Sequence, residues 1–76
     1  MIDLYISETC PYCHKVMNFM DKESIRYNKK DVSDPQNYEM LMNLGKKAQV
    51  PFMYDADYEV SLYESDEIIK YLTTRC

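Results

Sequence analysis

Ile2-Asp3-Leu4-Tyr5-Ile6-Ser7-Glu8-Thr9-Cys10-Pro11-Tyr12-Cys13 is a change of period. Ile2, Leu4 and Ile6 alternate with Asp3 and Tyr5, the repeat of a short strand with one better-buried face. Beyond a Ser7-Glu8-Thr9 loop, Val16, Phe19 and Met20 recur at helical spacing and predict a helix with one apolar stripe, running to about Lys22. Pro11 suits its first residue, where the missing N–H removes only a donor that has no intrahelical acceptor. Cys10 then becomes the N-cap. First-turn N–H groups and the positive end of the macrodipole converge on its sulfur and favour thiolate over thiol. Cys13 lies about one turn on, on the same face, where its sulfur can attack a mixed disulfide formed at Cys10.

A cysteine pair at this spacing is also half of a zinc site or a static staple. Zinc takes about four ligands, and only His14 and the last residue, Cys76, remain as soft candidates, so a metal is not expected. A structural disulfide across so short a loop constrains the unfolded chain little. Redox exchange is the stronger reading of Cys10 and Cys13. The third cysteine, Cys76, reads as an inert exposed thiol or a site of glutathionylation or intermolecular pairing.

Seventy-six residues with a hydrophobic fraction of 46% make one small packed domain spanning 1–76. A net charge of −4 with scattered lysines argues against nucleic acid or an anionic membrane as partner. No apolar run reaches the roughly 20 residues of a membrane span, and the start lacks a basic segment followed by an apolar stretch. The expectation is a monomer in a reducing, cytoplasmic compartment.

The rest of the chain is read in order. Ile25 to Val32 supplies a parallel return, and Arg26-Tyr27-Asn28-Lys29-Lys30 is polar enough to make it an edge strand guarded by lysines. Asp34 before Pro35 is a helix start, with Tyr38, Leu41 and Leu44 as the buried side and Gly45, the sole glycine, as the left-handed terminator. Val50-Pro51-Phe52-Met53-Tyr54 and Tyr58-Val60-Leu62 form a strand pair around an Asp55-Ala56-Asp57 turn. Ser65 caps a last helix with Asp66 and Glu67 at its positive end and Ile68, Tyr71 and Leu72 as its stripe. The order is β-α-β-α-β-β-α, an α/β domain with a right-handed first crossover.

Cys10-Pro11-Tyr12-Cys13, Val50-Pro51 and the Ser65-Asp66 helix start together resemble the glutaredoxin family over essentially the whole chain. The resemblance implies a thioredoxin-like fold, a four-stranded mixed sheet with helices on both faces. It also implies a glutathione groove. The proline matching Pro51 is cis in that family, whereas the residues alone suggest a trans proline opening a strand. Val50 would pair its backbone with the cysteinyl part of glutathione, and Ser65 and Asp66 would hold the γ-glutamyl end. A helix N-terminus is an anion site on general grounds. Tyr12 would line the groove mouth. The family's usual lysine before the first cysteine is replaced by Ser7, and among Lys15, Lys46 and Lys47 the last is best placed to compensate. His14 reads as an exposed helical residue. Tyr63-Glu64-Ser65-Asp66-Glu67-Ile68-Ile69-Lys70-Tyr71-Leu72 looks instead like the N-terminal domain of glutathione transferases, although a transferase would need a second, all-helical domain.

The function implied is a glutathione-dependent thiol–disulfide oxidoreductase acting on disulfide-containing or glutathionylated proteins, ribonucleotide reductase being one candidate. Glutathione would be a co-substrate, with no metal or bound cofactor. Two alternatives remain: an electron donor reduced by thioredoxin reductase, and a module holding an iron–sulfur cluster through Cys10 and glutathione.

Overall fold

The structure, a computed structural model, describes residues 1–75, and of Arg75 only the backbone. Cys76 and the expectations attached to it lie outside the described residues. The elements are β1 (Ile2–Ile6), α1 (Pro11–Lys22), β2 (Asn28–Asp31), α2 (Pro35–Gly45), β3 (Phe52–Asp55), β4 (Val60–Tyr63) and α3 (Ser65–Arg75). They form one four-stranded sheet in the order β2-β1-β3-β4. β1 runs parallel to β2 and antiparallel to β3, and β3 pairs antiparallel with β4. This is the mixed-sheet, thioredoxin-like architecture expected from the sequence.

The alternation along β1 sorts side chains to two cores. Ile2, Leu4 and Ile6 pack with Cys13, Val16, Met17 and Met20 of α1 and with Ile68 and Leu72 of α3. Each such fully buried aliphatic side chain contributes about 1.5–3 kcal/mol of transfer free energy. Tyr5 points the other way, into a smaller core with Leu41 of α2 and Phe52 of β3. The expected better-buried face of β1 has an equally buried counterpart at Tyr5, 2% exposed, because helices cover both sides of the sheet.

Several boundaries move for identifiable reasons. β2 is confined to Asn28–Asp31, at the sheet edge as expected. β3 starts at Phe52, since Pro51 has no N–H for a ladder, and Val50–Pro51 is a cis peptide. Asp55 belongs to β3 and is fully buried, accepting from the Tyr71 hydroxyl at 2.9 Å and the Asp57 N–H at 3.1 Å. Tyr58 is exposed and precedes β4. Tyr38 is also exposed, so α2 buries Leu41 and half-buries Leu44.

Gly45 is the last residue of α2, and the left-handed position belongs to Lys46 at φ 67°. A Cβ on Gly45 would collide with the Tyr63 hydroxyl and lie 2.7 Å from ring carbon Cζ. The sole glycine admits a tyrosine from β4. The Tyr63 hydroxyl donates to the Lys47 carbonyl at 2.9 Å and accepts from the Lys47 N–H at 3.1 Å, tying the loop after α2 to the sheet.

Candidate functional site: a dithiol beside an open cleft

At the junction of β1 and α1, Cys10 has extended backbone angles (φ −89°, ψ 115°) and Pro11 opens the helix, as the local pattern requires. The Cys10 sulfur accepts from the Cys13 N–H at 3.4 Å and lies 4.0 Å from the Val50 carbonyl oxygen. The preceding loop is braced from three directions. The Cys10 N–H donates to the Ser7 carbonyl at 3.1 Å, His14 Nε2 donates to the Glu8 carbonyl at 2.6 Å, and Lys29 pairs with the Glu8 carboxylate at 2.6 Å. His14 is thus exposed, as read, yet engaged with the backbone that leads into Cys10.

The two sulfurs are in different environments. Cys10 is half-buried at the helix end, whereas Cys13 is 0% exposed among Val16, Met17 and the strand residues. Burial pushes the Cys13 thiol up to about 12; a backbone hydrogen bond at Ser7 opposes this, and the neighbouring Cys10 sulfur adds smaller upward contributions. Near neutral pH Cys13 is a protonated thiol.

Beside this junction opens a cleft of about 260 Å³. Tyr12, 63% exposed, forms one side, Val50 and Pro51 the floor, and Ser65 and Asp66 at the start of α3 the other side. Five glutathione-site candidates from the sequence therefore meet in one place. The sixth, Lys47, does not line the cleft: its Nζ lies 5.6 Å from the centre of the Tyr63 ring. The lysine that reaches the site is Lys15, which crosses from α1 to Asp66 Oδ1 at 2.6 Å.

Two lining residues, Gln49 and Glu64, are not among the sequence's site candidates. Glu64 was signalled only by its place before Ser65. It holds a left-handed backbone (φ 69°), and its carbonyl accepts from the Ile68 N–H at 3.1 Å, so Glu64 stands at the N-cap and Ser65 is the first helical residue. The expected Ser65 cap is corrected accordingly. Ser65 is 6% exposed, and the first-turn N–H groups that follow have no intrahelical acceptors. An anion in the cleft would meet them. Among the described residues no group of three His, Cys, Asp or Glu side chains is arranged to hold a metal ion, and no helix is long and apolar enough to cross a membrane.

Known proteins share this fold to different extents. No curated protein sequence matches the chain. Among solved structures, the thioredoxin-like protein BC3987 superposes with a TM-score of 0.83 at 23% identity, over 97% of both chains. A glutathione S-transferase from the Antarctic clam Laternula elliptica gives 0.80 at 28% identity, covering 97% of this chain and 34% of its own. Glutaredoxin 2 from Salmonella typhimurium, in complex with glutathione, gives 0.78 at 23% identity, covering 95% and 32%. The chain thus spans about a third of the latter two proteins. A family model described as the glutathione S-transferase N-terminal domain matches residues 4–75, which takes in the dithiol, Val50-Pro51 and the start of α3. With that match over nearly its whole length, the chain belongs to the glutathione S-transferase N-terminal domain family.

Proposed function

We propose that this domain is a glutathione-dependent thiol–disulfide oxidoreductase of glutaredoxin type, working in a reducing, cytoplasmic setting. The observation that carries the reading is the difference between its two cysteines. Cys10, only half-buried, stands at a helix N-terminus next to the cleft residue Tyr12 with a backbone N–H on its sulfur, while Cys13 is fully buried and held as a thiol. A dithiol with one accessible member divides the labour of exchange. Glutathione binding is supported by the cleft at the α3 N-terminus and by the family.

On a glutathionylated protein, the Cys10 thiolate attacks the glutathione sulfur. The protein–glutathione S–S bond breaks, a Cys10–glutathione bond forms, and the protein leaves as a thiolate that takes a proton from solvent. A second glutathione, as thiolate, then attacks the sulfur bound to Cys10, giving glutathione disulfide and returning the Cys10 thiolate. A protein disulfide takes the longer route: Cys10 attacks one of its sulfurs, breaking the protein S–S bond and forming a Cys10–protein mixed disulfide. Cys13, losing its proton, then attacks the Cys10 sulfur, which releases the second protein thiolate and leaves a Cys10–Cys13 disulfide that two glutathione molecules reduce with formation of glutathione disulfide. The buried, protonated Cys13 makes the first route the faster one.

The test is turnover of a glutathione mixed disulfide with glutathione, glutathione reductase and NADPH. Cys10→Ser is expected to abolish it and Cys13→Ser to preserve it. Activity surviving Cys10→Ser overturns the mechanism. Turnover supported only by thioredoxin reductase with NADPH keeps the Cys10 chemistry and removes glutathione as donor.

A further inference from the structure

The face of the sheet under α2 holds a second cavity, about 390 Å³, larger than the cleft beside Cys10. Strand register sets two rows on this face. Tyr5 lies beside Lys30 and Phe52, and Asp3 lies beside Asn28 and Tyr54. Leu41 of α2 closes over Tyr5 and Phe52. The Asp3 and Tyr54 row faces the cavity, with Met40 and Leu44 of α2 on its other side.

Three features of the lining go beyond what packing needs. Tyr5 is 2% exposed, yet its hydroxyl bonds to none of the described residues. Among the described residues no fully enclosed side-chain oxygen lacks a partner, so this hydroxyl is an open atom, and the space it borders is this cavity. A phenylalanine would fill the core position equally well, as Phe52 does beside it. Lys30, half-buried on β2, forms no ion pair among the described residues. Asp3 has one carboxylate oxygen held by the Asn28 amide at 2.9 Å, which leaves its charge uncompensated. Asp3 and Lys30 are diagonal neighbours on adjacent parallel strands and do not pair with each other.

Opposite charges flanking an open, otherwise buried hydroxyl, with an apolar wall facing them, match a small zwitterion. We propose that this cavity binds a free amino acid with an apolar side chain, its carboxylate at Lys30 and the Tyr5 hydroxyl, its ammonium at Asp3, and its side chain against Met40 and Leu44. Burial, reinforced by Asp3, raises the Tyr5 phenol above its usual range, which keeps it a donor at neutral pH. The site lies on the sheet face opposite α1 and α3 and does not depend on the redox reading.

Amide NMR titration of the full chain tests this with three probes: L-leucine, 4-methylpentanoate, which lacks the ammonium, and 3-methylbutylamine, which lacks the carboxylate. Saturable shifts from L-leucine at Tyr5, Lys30 and Met40 are expected. Both singly charged probes, and L-leucine on Tyr5→Phe or Lys30→Gln, should bind about tenfold more weakly or less, the cost of one lost hydrogen bond to a charged group. Lys30 sits on the edge strand, so its variant keeps the test available should Tyr5→Phe disturb the core. No saturable shift, shifts confined to Tyr12 and Ser65, equal binding by a singly charged probe, or unchanged binding by the folded variants overturns the proposal.

Discussion

The first turn of α1 carries no acidic side chain, whereas that of α3 carries Asp66 and Glu67, with Glu64 directly before it. Both helix ends border the same cleft, through Tyr12 on one side and Ser65 and Asp66 on the other. Carboxylates at a helix N-terminus stabilise the helix by complementing its dipole. At α3 that benefit comes with repulsion of any external anion. At α1 no carboxylate occupies the positive end, and the side chain that stands there is Cys10. Under the proposed function, the α1 terminus serves the exchange chemistry and the α3 terminus receives a ligand that brings both charges, as the γ-glutamyl end of glutathione does.

The sharpest way to break the α1 half of this comparison is to alkylate the two thiols. Cys13, pushed up to about 12 from 9.0, has a thiolate fraction about a thousandfold below that of an ordinary thiol, and it is buried as well. Iodoacetamide at neutral pH, followed by peptide mass spectrometry, should therefore mark Cys10 and spare Cys13 by orders of magnitude. Rates within tenfold of each other would mean that the division of labour does not exist. The same shift has a stability consequence. The raised folded value favours the neutral thiol in the native state, so its contribution is fully present below about pH 9 and is lost as pH rises toward 12. Urea unfolding midpoints should fall across that alkaline window, and Cys13→Ala should flatten the fall.

The α1 terminus was legible in the sequence because its signals are local: an N-cap, a proline at the next position and a cysteine one turn on. The α3 terminus was legible only in part. Ser65 and Asp66, which the sequence marks as the helix start, line the cleft, but the cap lies one residue earlier than the pattern suggests, because a left-handed Glu64 is not what composition predicts. Gly45 shows the other limit. Its neighbour Lys46 takes the left-handed angle, and the glycine answers instead to Tyr63 on a distant strand, a contact no local pattern reports. The same holds for Lys15, which helix periodicity marks as solvent-facing and tertiary packing places on Asp66.

Gly45→Ala probes the segment that leads into the cleft residues Gln49, Val50 and Pro51. The added Cβ would displace the Tyr63 ring and, with it, both hydrogen bonds to Lys47, in the loop that leads to Val50 and Pro51. Overpacking of this kind costs about 1–3 kcal/mol, less up to about 1 kcal/mol of helix propensity gained by alanine. A fall in Tm of about 4–8 °C per kcal/mol lost is expected for a domain of this size, with weaker glutathione binding as Val50 shifts. Unchanged Tm would show that Tyr63 moves aside freely.

Lys15→Gln tests the α3 half, and its effect should be the smallest. The Lys15–Asp66 pair is 2.6 Å long, with side chains 52% and 84% exposed, so solvent screens it heavily. Exposed pairs of this kind contribute about 0.2–1 kcal/mol, or about 1.5- to 5-fold in an affinity. Removing the ammonium leaves Asp66 uncompensated beside the first-turn N–H groups that an incoming carboxylate needs. KM for glutathione should rise by that factor and kcat should stay level, because Cys10 is untouched. Asp66→Asn in the same chain removes the repulsion and should restore part of the loss, and Lys15→Arg should be near neutral. Raising the salt concentration should shrink the difference between Lys15→Gln and the unmodified chain, since an interaction between exposed charges is screened over about 10 Å at 0.1 M. A change in kcat with KM constant would instead place Lys15 in the service of Cys10, and the two helix ends would then act as one electrostatic unit rather than two.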